Sequence, residues 1–142
     1  VDPSDYNGFH LVVVDGEKGF VVWHDGDAIR RRVLAPGVHV LTERSFRGEE
    51  HERERSIGAQ AAALGSLESL ASILRVHRKN LEGGTCIHAD EAGYGTRSSM
   101  IVRLDDAWRV LHARYADGHP CSHRYDDISQ HFFSLSERYM PV

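Results

Sequence analysis

Two cysteines in 142 residues are too few for a disulfide-built scaffold, so a reducing, cytoplasmic setting is the expectation. The chain also lacks an excess of positive charge. Its 17 Lys and Arg stand against 21 Asp and Glu, for a net charge of -4. The basic residues are scattered, apart from Arg30-Arg31-Arg32 and a cluster within 75–79. With no basic field, nothing argues for a nucleic-acid partner. No apolar run approaches the ~20 residues of a membrane helix, so no membrane partner is expected. The start, Val1-Asp2-Pro3-Ser4, is not the basic-then-apolar pattern of a secretory leader. It reads as mid-protein, so the chain is expected to be a piece of a longer one. Internal repeats, low-complexity tracts and a Cys-x-x-Cys-His haem-attachment motif are missing as well.

What is present is an ordinary globular composition, 41% hydrophobic and 27% charged. That is enough apolar material for one domain spanning residues 1–142 with a real core. Phe9–Val14 and Phe20–His24 read as strands joined by the turn Asp15-Gly16-Glu17-Lys18-Gly19. Ala28–Leu34 and Val38–Thr42 read as a third and a fourth strand, completing an antiparallel meander. The charge-dense stretch 44–55 is either a loop or the exposed start of a helix running on through Ile57–Leu64. Ser66–Lys79 has a capping serine, an apolar stripe of Leu67, Leu70, Ala71 and Leu74, and basic residues at its end. That pattern predicts a helix. Arg97–Leu104 and Trp108–Tyr115 predict a second hairpin, and Tyr125–Leu135 a last strand or a short helix. Strands, then helices, then strands give an α+β class, a largely antiparallel sheet with helices on one face.

Four groups of residues carry candidate chemistry. The segment Pro36–Glu43 ends a predicted strand in the polar pair Thr42-Glu43. Arg97 stands between a glycine turn and an apolar strand, as a surface charge or as a fork for a carboxylate or oxyanion. Two Cys-x-His motifs, Cys86-Ile87-His88 and Cys121-Ser122-His123, follow. They leave three readings open: unlinked thiols beside surface histidines, a Cys86–Cys121 disulfide, or a Cys2His2 zinc site. Ten histidines is a high count, and His10, His24 and His39 lie in or beside the first strands. No metal ligand and no cofactor are assigned.

Three stretches taken together, Tyr6–Asp15, Pro36–Glu43 and Tyr94-Gly95-Thr96-Arg97-Ser98-Ser99, resemble the Asn-Arg-Asp-Glu (NRDE) family, which includes the transport and Golgi organisation protein 2 group. The resemblance runs from about Asp5 to Leu104, and the Gly-Thr-Arg-Ser-Ser stretch is its most specific part. It implies kinship with N-terminal-nucleophile amidohydrolases and their four-layer αββα sandwich. There, an N-terminal cysteine is the nucleophile and its own α-amine the base. That cysteine has no counterpart here, and Val1 has no side-chain nucleophile. The resemblance therefore implies a C-terminal portion acting on amide or thioester bonds only when joined to an N-terminal half. It places Arg97 and Glu43 as the catalytic positions, with Thr42, Thr96 and Ser98 as substrate-binding neighbours. Glu43 falls where the related enzymes use an oxyanion-holding Asn, and a carboxylate there repels a developing oxyanion. The alternative is a non-catalytic carrier for haem or an acyl-type ligand. The expected partners are the N-terminal half or a second copy of the chain, with a small-molecule ligand.

Overall fold

The computed structural model describes residues 8–15, 17–24, 26–42, 45–46, 52–77, 84–89, 91 and 93–132. The class is α+β, as the order of elements predicts, but its strands form three antiparallel sheets rather than one. The chain divides into two compact units, Val1–Ala62 and Ala63–Val142.

The first unit is a meander of β1 (Phe9–Val14), β2 (Gly19–His24) and β3 (Ile29–Leu34), followed by helix α1 (Glu52–Ala62). The register runs from Phe9 opposite His24 to Val14 opposite Gly19, and from Gly19 opposite Leu34 to His24 opposite Ile29. The Asp15 carboxylate ties the β1–β2 turn by accepting the Glu17 and Lys18 N–H groups at 2.9 and 2.8 Å. Those bonds, the Glu17 N–H first, hold the Asp15 carboxyl below its ordinary value. The central strand β2 is the buried one, with Val21, Trp23 and His24 inside. Phe46 stacks on Trp23 at 4.3 Å, and Arg32 lies over the Phe46 ring at 4.8 Å. This packing holds Phe46 at φ +66, a conformation a bulky residue rarely adopts.

Residues 38–42 are irregular, so the predicted fourth strand is absent. Side chains take the backbone groups that a strand would pair: the Thr42 N–H donates to Ser45 Oγ at 2.7 Å, and the His39 ring donates to the Ala35 carbonyl. The three strand histidines do not cluster. His10 donates to the Ser45 carbonyl at 3.0 Å, His39 turns to its own loop, and His24 is buried with its ring stacked on Phe9.

The second unit opens with α2 (Leu67–Leu74), capped by Ser66, whose Oγ accepts the Ser69 N–H at 3.1 Å. The helix stops at Leu74 and not near Lys79, because a returning segment takes the carbonyls that would continue it. The Val76 carbonyl accepts the Thr85 and Cys86 N–H groups at 2.9 and 3.1 Å, and the Thr85 hydroxyl donates to the Ile73 carbonyl. Then come β4 (His88–Ala89), β5 (Tyr94–Gly95), the hairpin of β6 (Ser98–Leu104) and β7 (Val110–Asp117), and β8 (Asp126–Asp127). β4 pairs with β5, and β7 lies between β6 and β8. α2 packs on β6, and the buried residues of this unit include Ala71, Ile73, Cys86, Ile101, Ala113, Ala116, Pro120 and Ser129. Among the described residues, no helix is long and apolar enough to cross a membrane.

Candidate functional site

Arg97 sits between β5 and β6, where the glycine turn ahead of the strand places it. Its side chain is exposed and lines an open cavity of about 350 Å³ with Gly93, Tyr94, Gly95, Gly118, His119 and His123. Two glycines let the walls of this cavity approach each other. A Cβ on Gly95, at φ +142, would fall 2.4 Å from both the His88 Cα and the Ile87 carbonyl oxygen. One on Gly118, at φ +123, would meet the His123 ring at 2.6 Å. Only glycine meets both the conformation and the space at such positions.

Thr96 and Ser98 flank Arg97 without joining it in the lining. The Thr96 N–H donates to the Ile87 carbonyl at 2.6 Å, and its hydroxyl accepts the Ile87 N–H at 3.1 Å. Its carbonyl takes the Nδ1–H of His119. Thr96 is thus a three-way tie holding β5, the strand before it and the 118–123 loop around the cavity. Ser98 begins β6 and is exposed. Thr42 belongs to the first unit, where its hydroxyl donates to Glu54 Oε1 at 2.9 Å, and the Ser45 hydroxyl donates to the same oxygen. Glu43 lies outside the described residues.

Beside the cavity, the second unit gathers residues that the two Cys-x-His motifs only partly foretell. One ligand atom each from His77, Cys86, His88 and Cys121 lies within 4.8 Å of every other. A parallel bridge pairs His77, three residues beyond α2, with Cys86. Two residues further on, β4 presents His88, whose Nε2 is 3.3 Å from Cys121 Sγ. The 119–123 turn presents Cys121: both the Ser122 and His123 N–H groups donate to the His119 carbonyl, at 3.0 and 2.9 Å. The His88 ring stacks on His119 at 4.0 Å and lies tilted against His77 at 4.2 Å.

His123, the partner suggested by the second motif, is not in the group. Its Nδ1 faces Ser122 Oγ at 3.1 Å and the His119 carbonyl at 3.2 Å, within its own turn. The signal for His77 in the sequence is faint, since it stands nine residues before Cys86 in what reads as a helix end. The two cysteines are not joined in a disulfide. Cys86 is fully buried and Cys121 exposed, and burial pushes the Cys86 thiol above its ordinary value. A buried thiol of that kind is a poor nucleophile on its own.

No protein-family model matches the chain, and neither does any curated protein or solved structure.

Proposed function

We propose that the chain is a C-terminal portion of an NRDE-type protein whose Arg97 cavity binds the oxygen-bearing end of a small acyl compound. Arg97 holds a carboxylate or carbonyl oxygen in its guanidinium fork, and His119 and His123 complete the polar wall. Hydrolysis of an amide or thioester then needs the cysteine-bearing N-terminal half, which supplies the nucleophile in the enzymes the chain resembles. The observation that supports this reading is the convergence of Arg97, His119 and His123 on one glycine-walled cavity. Glu43 and Thr42 enter the reading only through the resemblance.

The test is calorimetric titration of the chain with short fatty acids and their amides, beside Arg97→Ala and Arg97→Lys. A charge-assisted contact is worth about 1.5–3 kcal/mol, so Arg97→Ala should weaken carboxylate binding roughly 10- to 100-fold. Arg97→Lys should recover part of it, having the charge without the fork. Equal affinity in all three proteins would sink the reading. A second reading, a non-catalytic carrier, draws on the stacked histidines next to the same cavity. Stoichiometric haemin binding that is lost in His119→Ala would favour it.

A further inference from the structure

We infer that His77, Cys86, His88 and Cys121 form a four-ligand zinc site that clasps the end of α2, β4 and the 119–123 turn together. Two thiolates and two imidazoles are the donor set of a structural zinc centre. With Zn–S near 2.3 Å and Zn–N near 2.0–2.1 Å, a tetrahedron has ligand-to-ligand edges of about 3.3–3.8 Å. The four donor atoms lie within 4.8 Å of one another, and the His88–Cys121 pair is already at 3.3 Å. Closing the tetrahedron therefore takes roughly an ångström of donor-atom movement.

The surroundings fit a metal as well as the donors do. His77 Nδ1–H donates to the Cys86 carbonyl at 3.1 Å, which fixes its tautomer and leaves Nε2 with the lone pair. Ligating histidines are typically oriented by such a second bond. His119 acts one step out: it stacks on His88, and its Nδ1–H is tied to the Thr96 carbonyl, which braces the ring it stacks on. Soft thiolates argue against magnesium and calcium, which take oxygen donors. Four protein donors close the coordination sphere, so the role is structural, not Lewis-acid catalysis. Binding forms two Zn–S bonds as the two thiol protons pass to solvent.

The clasp is separate from the binding role of Arg97, although it shapes the same cavity. His88 pairs with Gly95, and Cys121 shares its turn with the lining residues His119 and His123. Metal loading should thus hold both walls of the cavity in register.

The experiment is titration of the reduced, metal-free chain with Zn²⁺, and with Co²⁺ as a spectroscopic substitute. We expect one metal per chain, thiolate-to-cobalt charge-transfer bands, and the intense visible bands of a tetrahedral centre. Cys86 is fully buried, so its replacement endangers the fold. Cys121 and His77 are exposed and carry the test. Cys121→Ser and His77→Ala should keep the native circular dichroism while losing at least about 100-fold in zinc affinity, with weaker charge transfer in Cys121→Ser only. His123→Ala and Arg97→Ala should bind zinc as the unaltered chain does. A reduced chain that takes up no zinc, or a folded Cys121→Ser protein with undiminished affinity, would overturn the assignment.

Discussion

Gly95 shows how much one missing side chain decides. Its Cα approaches the 87–88 backbone so closely that a methyl group would overlap main-chain atoms, which cannot rotate away. Gly95→Ala adds a conformational cost of about 1–2 kcal/mol and an overpacking cost of about 1–3 kcal/mol. We expect the second unit to lose about 2–5 kcal/mol in urea unfolding, with the β4–β5 pairing broken first. A loss below about 0.5 kcal/mol would show that this close approach is not kept in solution. The glycine turn and Arg97 are legible in the sequence because both depend on local chemistry. That Thr96 would serve as a tie and not as a cavity wall was not legible, since its partners Ile87 and His119 come from distant segments.

At the scale of the element, a single carboxylate braces the turn of the β6–β7 hairpin. Asp105 accepts the N–H groups of Ala107 and Arg109 at 2.9 and 2.8 Å and pairs with the Arg109 guanidinium at 2.8 Å. These contacts, the Arg109 N–H foremost, lower its pKa from 3.8. A lowered folded-state value means the ionised form is the one the fold prefers. The contribution is complete above the unfolded value and is lost as pH falls through the lowered one. Amide protection at Leu104 and Val110, taken relative to the intrinsic exchange rate at each pH, should therefore fall below about pH 4 in the unaltered chain. In Asp105→Ala it should be low and flat across the same range. If the two proteins share one acid profile, the carboxylate does not hold the hairpin. The turn also sets Trp108 at φ +62, where glycine is customary.

Element legibility follows the range of the forces involved. Ser66, Glu68 and the leucine stripe mark the start of α2 because a cap and a first turn are local events. The end is mispredicted because Thr85 and Cys86, ten or so residues away, take the Ile73 carbonyl and the Val76 carbonyl just past it. The same competition bridges His77 to Cys86 and so brings it into the inferred ligand set. Two Cys-x-His motifs point to His123 by symmetry, and the 119–123 turn spends that ring internally.

At the scale of the molecule, both units leave apolar strand residues open to water. Leu11, Val12 and Val14 of β1 and Val33 of β3 are exposed in the first unit, as are Met100, Val102 and Leu111 in the second. Consecutive residues of β1 point to opposite faces, so that strand is open on both. Such surfaces normally meet another surface. We expect the purified chain to bind a hydrophobic dye and to self-associate with rising concentration in sedimentation velocity. The double change Leu11→Ser, Val33→Thr should lower both. Dye binding at the level of a fully covered globular protein would show that these strands are shielded. The strand–helix–strand order makes the α+β class legible. The split into three sheets was hidden, because sequence patterns show which residues alternate but not which strands meet.

The two tryptophans fall one to each unit, and their settings differ. Trp23 is buried against Phe46, while Trp108 stands 40% exposed at the tip of a hairpin. The chain thus carries two optical reporters of contrasting colour, a blue-shifted one for residues 1–62 and a red-shifted one for residues 63–142. In Trp108→Phe, emission follows the meander alone; in Trp23→Phe, it follows the half that holds the cysteines and Arg97. Zinc added to the second variant then acts on a signal from the half it is inferred to clasp, without a dye or a label.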